Sequence, residues 1–318
     1  MLIVALARWG GVSAKDLGEA WDKLSWRALA AAFAIYAVQY GLRALRFWLL
    51  IPPSARPPYV CMLSVTSAYG MAALTLPAKL GEAMYIVYTS KAANLGPAEA
   101  IASLVVARLL DFATLFLGFG VACTALELAG VHPEIGWFGP LGGALLVLSI
   151  AVFALSARGD VLVRWLTRLT PALGLGRSMG ASAILVLVGS LGSALRVAAD
   201  DGRFWKAAIV SLPMWACVFL FCAVLGRGFG LPHTITIVEA SFGASLAILT
   251  SLVPVSAFAN FGTLETGWVL GFGVLGVSRD LAFATGTGLH VVQVVFAVAL
   301  GLLGHVGMAM VSRRGPRA

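Results

Sequence analysis

Apolar runs of nearly bilayer length recur along the chain, at residues 28–42, 112–126, 138–155 and 291–303, separated by short polar, proline- or glycine-bearing segments. They approach the roughly 20 residues a helix needs to cross the hydrocarbon core, and none alternates with the period of two of a barrel strand. In lipid each backbone amide must be satisfied within its own segment, so the chain reads as an all-α integral membrane protein. Composition agrees. Of 318 residues, 60% are hydrophobic and 11% charged, against about 25% charged in a soluble domain, and the mean hydropathy is +0.94.

The net charge of +8 does not point to nucleic acid, because the basic residues punctuate the ends of apolar spans instead of forming one polar face. Cys61, Cys123, Cys217 and Cys222 lie inside apolar segments without CxxC spacing and read as packing residues. "MLIVALARWG" has too short an apolar core for a signal peptide.

The spans are expected at 26–51, 99–126, 136–156, 204–225 and 281–303. Arg43, Arg46 and Arg56 mark the end of the first as cytoplasmic, with Arg43 and Arg46 serving as orientation anchors or as contacts for a lipid headgroup at the mouth. Residues 158–177 carry Arg158, Arg164, Arg168 and Arg177 and suit an amphipathic segment on the anionic leaflet, with 179–195 placed at the interface. Arg8, Lys15, Lys23 and Arg27 fall on the outer side, against the general trend. The division is an interfacial segment 1–25, a first repeat 26–126, a linking span with a basic segment 127–203, a second repeat 204–304 and a cytoplasmic basic tail 305–318, all in one membrane domain.

Two stretches interrupt this pattern. "TLPAKLGEAMY", residues 75–85, places Pro77, Lys79, Gly81 and Glu82 inside a greasy region, so 60–76 and 83–91 are each too short to cross and read as a re-entrant hairpin. "VPVSAFANFGTLETG", residues 253–267, repeats the proline, glycine and glutamate as Pro254, Gly262 and Glu265. Leu95-Gly96 recurs as Leu275-Gly276, an offset of 275 − 95 = 180. Each half reads as a span, a broken hairpin and a span, with the second half inverted, an architecture of secondary transporters. The breaks then line a central polar cavity; the other reading is that proline and glycine only kink packed helices.

Arg108 and Asp111 lie roughly 13 and 18 Å into their helix at 1.5 Å per residue, three positions apart on one face. Charges at that depth pair or line a polar path, so these two either neutralise each other or contact substrate. His290 falls opposite Leu110 on the 180 offset, beside Asp111, as a packing histidine or a further bond to the centre. "GFGVLG", 271–276, matches GxGxxG without its strand-turn-helix context, and there is no GxxxxGK[ST] or HExxH. No cofactor and no metal site is expected.

The chain resembles the flippase-like family defined by the transmembrane domain of lysylphosphatidylglycerol synthases, over residues 17–304. "LRALRFWLL" is similar to the family's Arg-rich helix end, "LPAKLGEAMY" to its first proline-glycine-glutamate turn, "VVARLLDFATLF" to its Arg-Leu-Leu-Asp helix and "LVPVSAFANFGTLE" to its second turn. Tyr85 stands where relatives commonly carry an arginine, and the stretch from Asn260 to Glu265 replaces their Gly-x-Gly-x-Arg-Glu. The family's first helix is expected to be lost or reduced to residues 1–7, and no aminoacyl-transferase domain is read in the chain, so the synthases' activity is not carried over. The resemblance implies a multi-pass protein of the bacterial inner membrane that translocates an amphiphilic lipid between leaflets: a phospholipid, a glycolipid or a polyprenyl-phosphate type. The expected substrate contacts are Lys79, Glu82, Tyr85, Arg108, Asp111, Asn260, Glu265 and His290. The alternatives are an intramembrane lipid-modifying enzyme using Glu82 or Asp111 as base, or an accessory scaffold for a glycosyltransferase or lipid-synthesis partner.

Overall fold

The computed structural model describes residues 14–76, 80–131, 136–158, 201–252, 259 and 261–313. Among these the chain forms ten α-helices, one 3-10 turn at Pro53–Ala55 and no strand. The helices are α1 (Ala14–Lys23), α2 (Trp26–Leu50), α3 (Tyr59–Thr75), α4 (Leu80–Ala93), α5 (Pro97–Leu128), α6 (Phe138–Ala157), α7 (Arg203–Gly228), α8 (Ile237–Ser251), α9 (Thr263–Val274) and α10 (Arg279–Arg313). Five of them, α2, α5, α6, α7 and α10, are long and apolar enough to cross a membrane, and they match the five expected spans to within a few residues. One boundary is corrected: α10 runs to Arg313, well into the tail expected from 305. The basic segment after Arg158 and the stretch 179–195 lie outside the described residues, as do Pro77, Lys79, Pro254 and Asn260.

Local chemistry sets the helix ends. Ser25 accepts from the Ala28 amide at 3.2 Å to start α2, and Thr236 with Glu239 caps α8 reciprocally. Pro97 opens α5, with Glu99 reaching back to the Gly96 amide at 3.2 Å. The carbonyls at the end of α2 are taken by cations: Arg56 donates to Leu49 and Ile51, both at 3.0 Å, and Arg203 donates to Leu50 at 2.7 Å. Burial and the neighbouring Arg203 push the Arg56 guanidinium below its ordinary value.

The short helices come in two pairs. At 1.5 Å per residue, α3 and α4 reach roughly 25 and 21 Å, and α8 and α9 roughly 23 and 18 Å, all short of the ~30 Å core. Each pair packs through glycine: Gly81 of α4 lies on the backbone of Ala73 in α3, and a Cβ at Gly271 of α9 would fall 2.7 Å from the Gly243 Cα in α8. Such contacts hold helices together where lipid removes the hydrophobic drive. The long helices then bind the pairs crosswise. Helix α3 packs on α10, α8 packs on α5, and α2 packs on α7.

Two buried clusters fill the spaces between. The larger gathers Tyr36, Phe221, Phe242, Trp268 and Phe296, and the smaller joins Phe47, Tyr69, Tyr85, Leu110 and Phe204.

Candidate functional site: a charged cavity among the interrupted helices

A cavity of about 240 Å³ opens where both short pairs meet the long helices. Its polar wall is Gln39 and Arg43 of α2, Glu82 of α4, Arg108 and Asp111 of α5 and Gln293 of α10; Leu264 and Trp268 of α9 and Ala244 and Ile248 of α8 close the apolar side.

Arg108 organises the polar side. Its Nη2 pairs with the Glu82 carboxylate and lies 2.5 Å from the Tyr69 hydroxyl, while Nη1 donates to Asp111 at 3.2 Å. Asp111 is bound more tightly from the other flank, by Arg46 at 2.6 Å, and also accepts from the Trp215 indole at 3.2 Å. Arg46 is 1% exposed and also donates to Ser211 at 3.3 Å. This corrects the reading of Arg46 as a surface anchor: its long side chain turns into the bundle because a buried carboxylate waits there. It also enlarges the Arg108–Asp111 pair to a chain running Glu82, Arg108, Asp111, Arg46. Arg43, by contrast, lines the cavity and touches no carboxylate; its guanidinium sits 5.3 Å from the Tyr40 ring.

Glu265 and His290 form a second, separate pair. The imidazole Nδ1 is 2.7 Å from Glu265 Oε1, the other carboxylate oxygen accepts from the Gly262 amide at 2.7 Å, and Phe261 stacks on the ring at 4.3 Å between centroids. Both side chains are buried, and neither lines the cavity; their neighbours Leu264, Trp268 and Leu289 do. Counted from the helix starts, Pro97 and Arg279, Arg108 and His290 stand equally far along their helices (108 − 97 = 290 − 279 = 11).

Tyr85 is buried behind the wall, bonded to Ser103 at 2.9 Å and packed on Phe47 and Tyr69, so it supports Tyr69 instead of facing the cavity. Tyr69, Gln39, Trp215 and Gln293 were not expected. The sequence signal for Gln39 and Gln293 is weak but present: each is a polar residue inside a bilayer-length apolar helix. Among the described residues no cluster of three or more metal-ligating side chains occurs.

Five bilayer-length helices, four of them lining a cavity that carries charged side chains, define a multi-pass membrane protein. The chain belongs to the family described as the lysylphosphatidylglycerol synthase TM region, whose sequence model matches residues 1–301. This makes it a member of a lipid-related membrane family. No curated protein and no solved structure matches it.

Proposed function

We propose that the protein moves an amphiphilic lipid between the leaflets of a bacterial inner membrane, the headgroup passing through the cavity while the tails stay in the bilayer. The observation that carries this reading is the charge balance of the polar wall together with the side chain that backs it. Arg43 and Arg108 in the wall and Arg46 buried behind it stand against Glu82 and Asp111, three cations to two anions, and among the described residues Arg43 is the one that pairs with no carboxylate. An unbalanced guanidinium in an apolar-walled cavity suits a phosphate-bearing headgroup, and Gln39 and Gln293 add neutral donors and acceptors for hydroxyl groups. The volume, about 240 Å³, accommodates a headgroup and leaves no room for the tails.

The architecture behind the reading is an inverted repeat, each half a span, a broken re-entrant hairpin and a span. Reciprocal packing supports it. The first hairpin's α3 lies on the second half's last span, α10, the second hairpin's α8 lies on the first half's last span, α5, and the two leading spans, α2 and α7, face each other. The cavity chemistry favours binding over base catalysis by Asp111, which already accepts from Arg46, Arg108 and Trp215, three of its roughly four acceptor sites.

The test is reconstitution in phosphatidylethanolamine/phosphatidylglycerol vesicles, following NBD-labelled phosphatidylglycerol by dithionite quenching. Arg43→Gln should slow flipping about ten- to a hundredfold, the loss of one charge-assisted contact. A variant that flips at the wild-type rate would remove the reading.

A further inference from the structure

The buried Arg46 and Asp111 meet each other's charge, yet the Glu265–His290 pair keeps one loose end: the imidazole Nε2 is shielded from solvent and has no hydrogen-bond partner among the described residues. A histidine retained only for packing normally has both nitrogens satisfied. We infer that Glu265 and His290 form a proton-binding site that couples the movement proposed above to a proton gradient; the coupling rests on that reading, the protonation does not.

The argument is electrostatic. Holding one shared proton, the pair is neutral overall, as carboxylate with imidazolium or as acid with imidazole. Without it, a single negative charge is left among Phe261, Leu264, Trp268 and Leu289, where an uncompensated ion is strongly disfavoured. Exchange of that proton therefore requires water to reach the pair. The corresponding slot of the first half holds Arg108 against Glu82, and a guanidinium does not give up its proton. One half of the proposed repeat thus carries a fixed charge, and the other an exchangeable one on the side chain suited to exchange near neutrality.

The route to water is short. Leu264 and Trp268 flank Glu265 on α9, Leu289 precedes His290 on α10, and all three are cavity wall, so a headgroup that displaces them wets the pair. The charged and titratable groups on the packed elements are otherwise engaged or directed elsewhere. From α8, Glu239 caps Thr236; from α3, Tyr69 bonds Arg108; from α7, Arg227 donates to Ile235 and Cys222 faces the cavity; from α1, Glu19 and Lys23 meet α10 near its first turn, beside Asp280. From α2, Arg43 faces the pair only across the cavity.

Two measurements on the purified full chain test this. In vesicles with one pH unit across the membrane, NBD-labelled phosphatidylglycerol should settle at a leaflet ratio shifted about tenfold, the equivalent of one proton per lipid. His290→Gln, which preserves a donor to Glu265, should settle where it does without a gradient, and so should Glu265→Gln. Wild-type flipping that ignores the gradient overturns the coupling and leaves the translocase reading intact. Independently of cargo, the ¹⁵N-imidazole signal of His290, assigned by its absence in His290→Gln, should change protonation state between pH 5 and 9 in lipid nanodiscs, with Glu265→Gln moving the transition. A ring in one state throughout overturns the proton site. Titration without lipid movement upholds the site and overturns the cargo.

Discussion

Glu82 and Glu265 each sit in the first turn of a short helix that follows a break, and each is held by a basic side chain at the same depth of the next long helix. Arg108 lies eleven positions past Pro97 (108 − 97), and His290 eleven past Arg279 (290 − 279). The backbone device is the same, but the wrapping differs. Arg108 and Glu82 are 40% and 28% exposed and form cavity wall; His290 and Glu265 are 0% and 2% exposed, with Phe261 stacked on the imidazole. The contrast shows how one geometry yields two chemistries. Where the pair is open to the cavity, a permanent charge is tolerable and useful to a ligand; where it is sealed, a side chain that can become neutral is the less costly occupant.

The largest effect that separates the two regions is expected at their anions. Asp111→Ala strands Arg46, which is 1% exposed and has no other carboxylate partner among the described residues; the loss should be about 3–5 kcal/mol, read by unfolding in detergent micelles. Glu265→Ala strands a histidine that can shed its charge, so its cost should stay near 1–3 kcal/mol. Equal losses at the two positions would break the contrast. A step smaller, Gly81→Ala and Gly271→Ala should each cost about 1–3 kcal/mol, because the added methyl meets the backbone of Ala73 or Gly243. Gly273→Ala on the same helix as Gly271, where a Cβ has nothing within 4 Å, is the matched control and should be close to neutral.

Much of this was legible in the sequence because lipid imposes a length rule. The five spans, both sets of short helices and the first-turn glutamates followed from apolar run lengths and from proline and glycine placement, which act locally. What escaped was set by contacts between distant segments. Arg46 looked like an anchor because it stands four residues before the end of α2, Leu50; only the approach of α5 and α7 shows that its guanidinium meets Asp111 and Ser211. His290 was placed beside Asp111 because the offset was measured at the Leu-Gly connections; α5 starts two residues after Leu95 but α10 four after Leu275, so a count from the helix starts moves His290 by two positions, to the place that Arg108 holds in α5. Tyr85 occupies a position that resemblance marks for a cation, yet it packs behind Tyr69, a rotation about the helix that the apolar pattern of α4 is too weak to fix.

The smallest effect sharpens the comparison from outside it. Glu99 also reaches back three residues to a glycine amide, as Glu265 does to Gly262, but it is exposed and makes no contact with a buried base. If capping alone explained these carboxylates, Glu99→Ala and Glu265→Ala would destabilise equally. The difference in surroundings predicts otherwise: a solvent-facing charge at a helix N-terminus contributes about 0.3–1 kcal/mol, and less as salt rises. Thermal unfolding of Glu99→Ala should therefore shift slightly at low ionic strength and hardly at all in 0.5 M salt, roughly a sevenfold Debye-length reduction from ~0.01 M, while Glu265→Ala should show its larger loss at both. A salt-sensitive loss at Glu265 would mean that solvent reaches that pair, and the distinction between an open and a sealed pair would no longer hold.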